Sequence, residues 1–83
     1  MGKEEVGEIT HFFPKISVAV VKLSGKLKKG DKIAIEGKNN FEQIVESMQV
    51  EHETIKEAKP GDDIGMKVDQ DVREGDKVFK VTD

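Results

Sequence analysis

LKKGDKI, from Leu27 to Ile33, returns as AKPGDDI from Ala58 to Ile64 and again as VREGDKV from Val72 to Val78. Each copy runs apolar residue, two variable residues, Gly-Asp, one variable residue, then Ile or Val. Two explanations are chemically distinct: Asp31, Asp62 and Asp76 converge on a cation, or each copy turns the chain into a strand. A calcium site gathers carboxylates and carbonyls at about 2.3–2.6 Å, and the EF-hand spacing that would supply them is absent. A turn needs a residue that tolerates positive φ, followed by a short side chain that bonds the local backbone; Gly and Asp are those residues. The phrase therefore reads as a turn device whose flanking apolar residues point into a core. No metal and no other cofactor is expected.

Working outward from these turns, the remaining pattern is β. Val6 to Phe13 and Ile16 to Leu23 are rich in strand formers and are separated by Pro14-Lys15, as in an antiparallel pair. Asp31 to Glu36 alternates, with Ile33 and Ile35 on one face and Lys32, Ala34 and Glu36 on the other. Gly37 to Asn40 is a turn signal. Further strands are expected at Thr54 to Ala58, Asp63 to Val68 and Lys77 to Val81. Phe41 to Val50 is ambiguous, because Phe41, Ile44, Val45 and Met48 recur at helical spacing and Asn40 with Gln43 could form a capping box. Six or seven short strands at this spacing suggest a small closed barrel or sandwich. The expected inner face carries Ile9, Val18, Val20, Ile33, Ile35, Ile64, Met66, Val68 and Val81.

Composition sets the limits. With 83 residues there is room for one domain, spanning 1–83, and 35% hydrophobic against 37% charged residues leaves little material for a core. The chain has no cysteine, which excludes disulfides, thiolate nucleophiles and cysteine-based zinc sites. Neither a secretory h-region nor a membrane-spanning run is present in the sequence, so a cytoplasmic monomer away from membranes is expected. The net charge of −3 is unevenly spread: Lys22, Lys26, Lys28, Lys29 and Lys32 cluster early, and glutamates dominate from Asn40 to Ala58.

The order of LSGKLKKGDKIAIEG (Leu23 to Gly37), IVESMQVEHETIKEAKPGDDIGMKV (Ile44 to Val68) and VREGDKVF (Val72 to Phe79) resembles the second domain of translational GTPases. EAKPGDDIGMKV, Glu57 to Val68, is similar to a segment of elongation factor Tu and its archaeal and eukaryotic counterparts. LSGKLKKGD and SMQVEHE look closest to the selenocysteine-specific elongation factor. The resemblance implies an all-β fold, a small closed six-stranded antiparallel Greek-key barrel, and it makes Phe41 to Val50 a strand. It also implies contact with ribosomal RNA or tRNA, for which Lys22, Lys26, Lys28 and Lys29 around the first turn are the candidates. In the family, a Glu just before the methionine matching Met48 and an Asn after Gly-Asp help hold the aminoacyl end of tRNA; Ser47 and Asp63 stand there instead.

Catalysis finds no foothold. There is no GxxxxGK[ST] loop, since Gly25-Lys26 is followed by Leu27 and Gly37-Lys38 by Asn39, so neither GTP binding nor hydrolysis is expected. Ser17, Ser24 and Ser47 lack a nucleophile elbow, and His11 and His52 lack a histidine partner at helical spacing. The expected role is that of a non-catalytic, translation-factor-like module on the ribosome or RNA. The alternative is a protein-binding accessory domain, since similar barrels occur as appendages of collagenase-like peptidases that act in RNA or cofactor modification. For either role, Phe12, Phe13, Ser47 and Asp63 are the candidate partner contacts, Phe12-Phe13-Pro14 because strand alternation cannot turn both rings inward unless the chain bends.

Overall fold

The three Gly-Asp phrases fold alike. In each, the third residue of the turn is a glycine at φ +94, and the Asp N–H donates to a carbonyl three residues back: Asp31 to Lys28, Asp62 to Lys59 and Asp76 to Arg73, all at 3.1 Å. Positive φ at the third residue with this hydrogen bond is the type II signature, and Pro60 occupies the second position where its fixed φ fits. Each Asp carboxylate then accepts the N–H of the turn's first residue: Lys28 at 2.9 Å, Lys59 at 3.1 Å and Arg73 at 2.9 Å. Each turn also clips onto one buried residue elsewhere through two backbone bonds. Gly30 and Asp31 hold Val45, Gly61 and Asp62 hold Leu23, and Gly75 and Asp76 hold Ile9, at 2.7–2.9 Å. The flanking apolar pairs Leu27 and Ile33, Ala58 and Ile64, and Val72 and Val78 are all buried. The sequence phrase is thus a complete unit: a turn, its internal cap, two anchors in the core and a two-bond dock.

The computed structural model describes residues 2–51 and 53–82 and contains strands alone as regular elements. They are β1 (Gly2–Phe13), β2 (Val18–Leu23), β3 (Leu27–Lys28), β4 (Lys32–Glu36), β5 (Phe41–Ile44), β6 (Met48–Val50), β7 (Glu53–Ile55), β8 (Glu57–Ala58), β9 (Asp63–Lys67) and β10 (Lys77–Thr82). Eight of them form one antiparallel sheet in the order β5-β4-β10-β1-β2-β9-β6-β7, curled into a half-barrel, and β3 and β8 form a separate two-stranded ribbon. β1 can serve two neighbours because it is long and bulged, between Glu5 and Gly7 and between Ile9 and His11; its first half pairs with β10 and its second with β2.

The ladder corrects two expectations about shape. It has eight strands and two ends, β5 and β7, rather than six strands in a closed ring. Phe41 to Val50 is neither a helix nor one continuous strand, because β5 pairs with β4 while β6 pairs with β7 and β9. Val45, in the break, is held by the first Gly-Asp turn, which leaves it no ladder partner. Across the open side a side chain does what a ladder would do. Gln43, only 7% exposed, donates from Nε2 to the Lys67 carbonyl and accepts from the Asp69 N–H, both at 2.8 Å.

The core lies inside the curl and is built from Val6, Ile9, Ala19, Val21, Leu23, Leu27, Ile33, Ile35, Val45, Met48, Ala58, Ile64, Met66, Val68, Val72 and Val78. Each of the larger chains, such as Ile9, Leu27 and Met48, contributes about 1.5–3 kcal/mol by leaving water. Two strands differ from the sequence expectation. On β2 the inward residues are Ala19, Val21 and Leu23, while Val18 and Val20 face out; on β10 Val78 is inward and Val81 is not. Val18 to Val21 are apolar on both faces, and only the continuation, Lys22 on the outer face and Leu23 on the inner, tells the faces apart within β2. The pairing of Ala19 with Met66 and of Val21 with Ile64 makes the same choice.

Candidate functional site

A strand that is apolar on both faces belongs where both faces are covered. β2 carries Val18 and Val20, both only half-buried, on the outer face of an antiparallel sheet. The register shows what surrounds these valines. His11, Val20, Gly65 and Gln49 are consecutive cross-strand partners from β1 to β6, and Phe13, Val18 and Lys67 form the neighbouring row. At the middle of the first row Gly65 has no side chain, so the surface dips. The result is an open groove of about 430 Å³ lined by Phe13, Ile16, Val18, Val20, Gln49, Glu51, Asp63, Ile64 and Gly65. That volume lies within the ordinary range of binding sites, roughly 300–1,000 Å³.

The walls are unusually apolar for a water-facing surface. Ile16 is 63% exposed and Phe13 44%, and together with Pro14 and Lys15 they line a second, adjoining hollow of about 270 Å³. Phe13 is steadied by the His11 ring, an edge-on contact with centroids 4.4 Å apart, and His11 Nδ1 lies 3.8 Å from Glu74 Oε2. Turns close both ends. Ser17 at φ +56 passes the chain into β2 and accepts a 2.9 Å bond from the Val68 N–H; Glu51 at φ +50 follows β6 directly. The charged residues in the lining are both acids, Glu51 and Asp63.

Of the sequence-based partner candidates, the structure brings Phe13 and Asp63 into this groove. Phe12 instead packs against the core, the bulge before His11 having set one ring inward and the other outward. Ser47, half-buried in the break between β5 and β6, is not among the lining residues. Ile16, Val18, Val20, Gln49 and Gly65 were not singled out by sequence reasoning. The signal available for them was the run VAVV, Val18 to Val21, which is apolar on consecutive positions and so marks a strand covered on both sides.

The candidate RNA-binding lysines are divided. Lys22 lies on the main sheet, across from Glu8 on one side and Asp63 on the other. Lys26, Lys28 and Lys29 belong to the β3–β8 ribbon and the turn beside it, where Lys26 Nζ is 3.6 Å from Glu57 Oε1 and Lys28 is the register partner of Glu57. The ribbon also brings in Lys56, whose carbonyl accepts the Lys29 N–H at 2.8 Å. None of these lysines lines the groove. His52 lies outside the described residues. Among the described residues no cluster of three or more His, Cys, Asp or Glu side chains is arranged to hold a metal ion.

No family model matches the chain. In sequence it is 43% identical over 79 residues to an uncharacterized protease of Methanocaldococcus jannaschii, a match that takes in 93% of the chain and 19% of that protein. The chain thus spans about a fifth of the length of the curated relative it matches. In fold it is similar to the C-terminal domain of a Geobacillus thermoleovorans protein described as a "putative U32 peptidase", with a TM-score of 0.89 at 22% identity over 95% of this chain and 93% of that one. A selenomethionine variant of the same domain gives 0.86 at 22% identity, over 90% and 96%. These findings correct the expected resemblance to translational GTPases, and with it the translation-factor role: the relatives in sequence and in fold are a protease and a peptidase C-terminal domain.

Proposed function

We propose that the chain is a non-catalytic accessory domain of a U32-type peptidase, which holds a partner protein or substrate against the outer face of β2 and β9. The observation that carries this reading is the groove itself, an uncovered apolar surface on a strand patterned for cover on both sides. An apolar groove with a few polar groups at its rim is the usual form of a binding site. The similarity to a protease segment and to a peptidase C-terminal domain supplies the setting. The polar groups of the lining, Gln49, Glu51 and Asp63, can orient an occupant on the apolar floor. The Gln43 bridge supports treating the half-barrel as shut on its open side, so that the groove sits on a stiff platform.

The test uses the Methanocaldococcus jannaschii protease with its matching 79-residue segment removed. Added in trans, this chain should bind the truncated protease in a calorimetric titration, with the removed segment itself as positive control. Phe13→Ser/Ile16→Ser should weaken binding by at least about tenfold, the worth of 1.4 kcal/mol, while leaving the fold unchanged. Binding by the control but not by this chain, or binding indifferent to the double change, refutes the proposal.

A further inference from the structure

We propose that the groove takes an arginine side chain of its protein partner, with the aliphatic stem on Val18, Val20 and Gly65 and the guanidinium facing Glu51 and Asp63. This rests on the docking reading above and adds the chemistry of the occupant. The argument is charge complementarity over an apolar floor. The apolar surface an occupant meets is that of Phe13, Ile16, Val18, Val20 and Gly65, and the charged members of the lining, Glu51 and Asp63, are both acids. A purely aliphatic occupant would offer nothing to the two exposed carboxylates at the rim. An acidic occupant would be repelled. A cation on an apolar stem meets both demands, since long basic side chains lay their methylenes on apolar surface and keep the charge at the rim.

Between the two basic side chains the structure favours arginine. Its planar guanidinium is less strongly hydrated than an ammonium, forks onto carboxylates and stacks on aromatic rings. Asp63 lies two residues from Gly65 on β9 and Glu51 two beyond its partner Gln49, at the same end of the groove, an arrangement suited to that fork. Lys22 stands across the ladder from Asp63, yet the two form no ion pair within 4 Å among the described residues, and neither Lys15, Lys22 nor Lys67 belongs to the groove lining. Glu51 also holds its carboxylate at φ +50, a backbone conformation where glycine or asparagine is cheaper.

The experiment titrates the isotope-labelled chain with the peptide acetyl-Ala-Leu-Arg-Leu-Ala-amide, followed by NMR, and repeats it with citrulline and with glutamate in place of arginine. The expected result is that the arginine peptide shifts the amides of Val18, Val20 and Gly65. The citrulline peptide, same shape without charge, should bind at least about tenfold more weakly, as fits loss of a charge-assisted contact. Glu51→Gln/Asp63→Asn should reduce the arginine peptide to the citrulline level and leave citrulline unchanged. Gly65→Ala, whose Cβ would rest 3.5 Å from Val18 Cγ1 in ordinary contact, keeps the fold and should narrow the groove against both peptides. Equal binding of arginine and citrulline peptides, with both lost in Gly65→Ala, overturns the arginine assignment and leaves the docking reading standing. Absence of shifts in these amides with the arginine peptide overturns it as well, and the titration with truncated protease then decides the docking reading separately.

Discussion

The equivalence of the three Gly-Asp turns makes a prediction sharper than any single substitution would. Gly30, Gly61 and Gly75 share φ +94, and a Cβ built on each meets nothing within 4 Å. Replacing each by alanine therefore introduces no clash, and the whole effect is conformational. Left-handed backbone costs an L-residue roughly 1–2 kcal/mol, and alanine returns about 0.4–1 kcal/mol by narrowing the unfolded ensemble. The net is about 1 kcal/mol for each turn. In a domain this small that lowers the melting temperature by about 4–8 °C. Urea denaturation of Gly30→Ala, Gly61→Ala and Gly75→Ala should give three losses within a few tenths of a kcal/mol of one another. Asparagine at the same positions should cost less, because it tolerates positive φ better than alanine. A variant that is neutral, or a spread among the alanine variants above about 1 kcal/mol, the size of the effect itself, refutes the claim that the three phrases are one physical unit.

Asp76 should prove the most demanding of the three aspartates: it is 7% exposed and accepts from Arg73 N–H at 2.9 Å and Lys38 N–H at 3.4 Å, so Asp76→Ala should cost about 1–3 kcal/mol in urea denaturation against at most about 1 for Asp62→Ala. Gln43→Leu strands the Lys67 carbonyl and the Asp69 N–H, and should cost about 1–3 kcal/mol, with faster hydrogen exchange at Asp69 as the local readout. A 2.7 Å hydrogen bond to Glu8, and beyond it the charges of Glu8 and Glu5, hold the Lys77 ammonium above its ordinary pKa against the smaller pull of burial. Its stabilising contribution is therefore fully present below about pH 10.4 and is lost as pH rises through the raised folded value. Lys77→Met should flatten the alkaline end of the stability profile and leave the shape of the pH 7–9 region unchanged, as followed by urea midpoints.

Much of the fold could be read from the residues because the Gly-Asp phrase carries its own physics: a positive-φ residue, a capping carboxylate and two apolar anchors at fixed offsets. Where the signal was two-sided, reading failed. VAVV by itself supports either register of β2; Lys22 and Leu23 just beyond it, and the partners Met66 and Ile64 on β9, decide it. Phe41, Val45 and Met48 recur at helical spacing because two short strands flank a residue docked on a distant turn, a contact invisible in local sequence. The same phrase that revealed the fold misled about kinship. An antiparallel chain that reverses direction this often uses the same turn repeatedly for physical reasons, so its order reports architecture more than descent. Of the groove, Phe13 was legible as an oddly placed aromatic, and Asp63 was singled out only as the residue standing where the resembled family has Asn. Gly65 was not, since its role is to be absent from a row that only the sheet register assembles.

The central claim, that the outer face of β2 and β9 is the docking surface, is tested most directly by mapping the contact on the labelled chain. Cross-saturation NMR from the unlabelled, truncated Methanocaldococcus jannaschii protease should attenuate Ile16, Val18, Val20 and Gly65 most strongly, with the exposed Lys28 and Glu57 on the β3–β8 ribbon unaffected. Attenuation centred on the ribbon and its lysines Lys26, Lys28 and Lys29, with the groove residues untouched, would contradict the account.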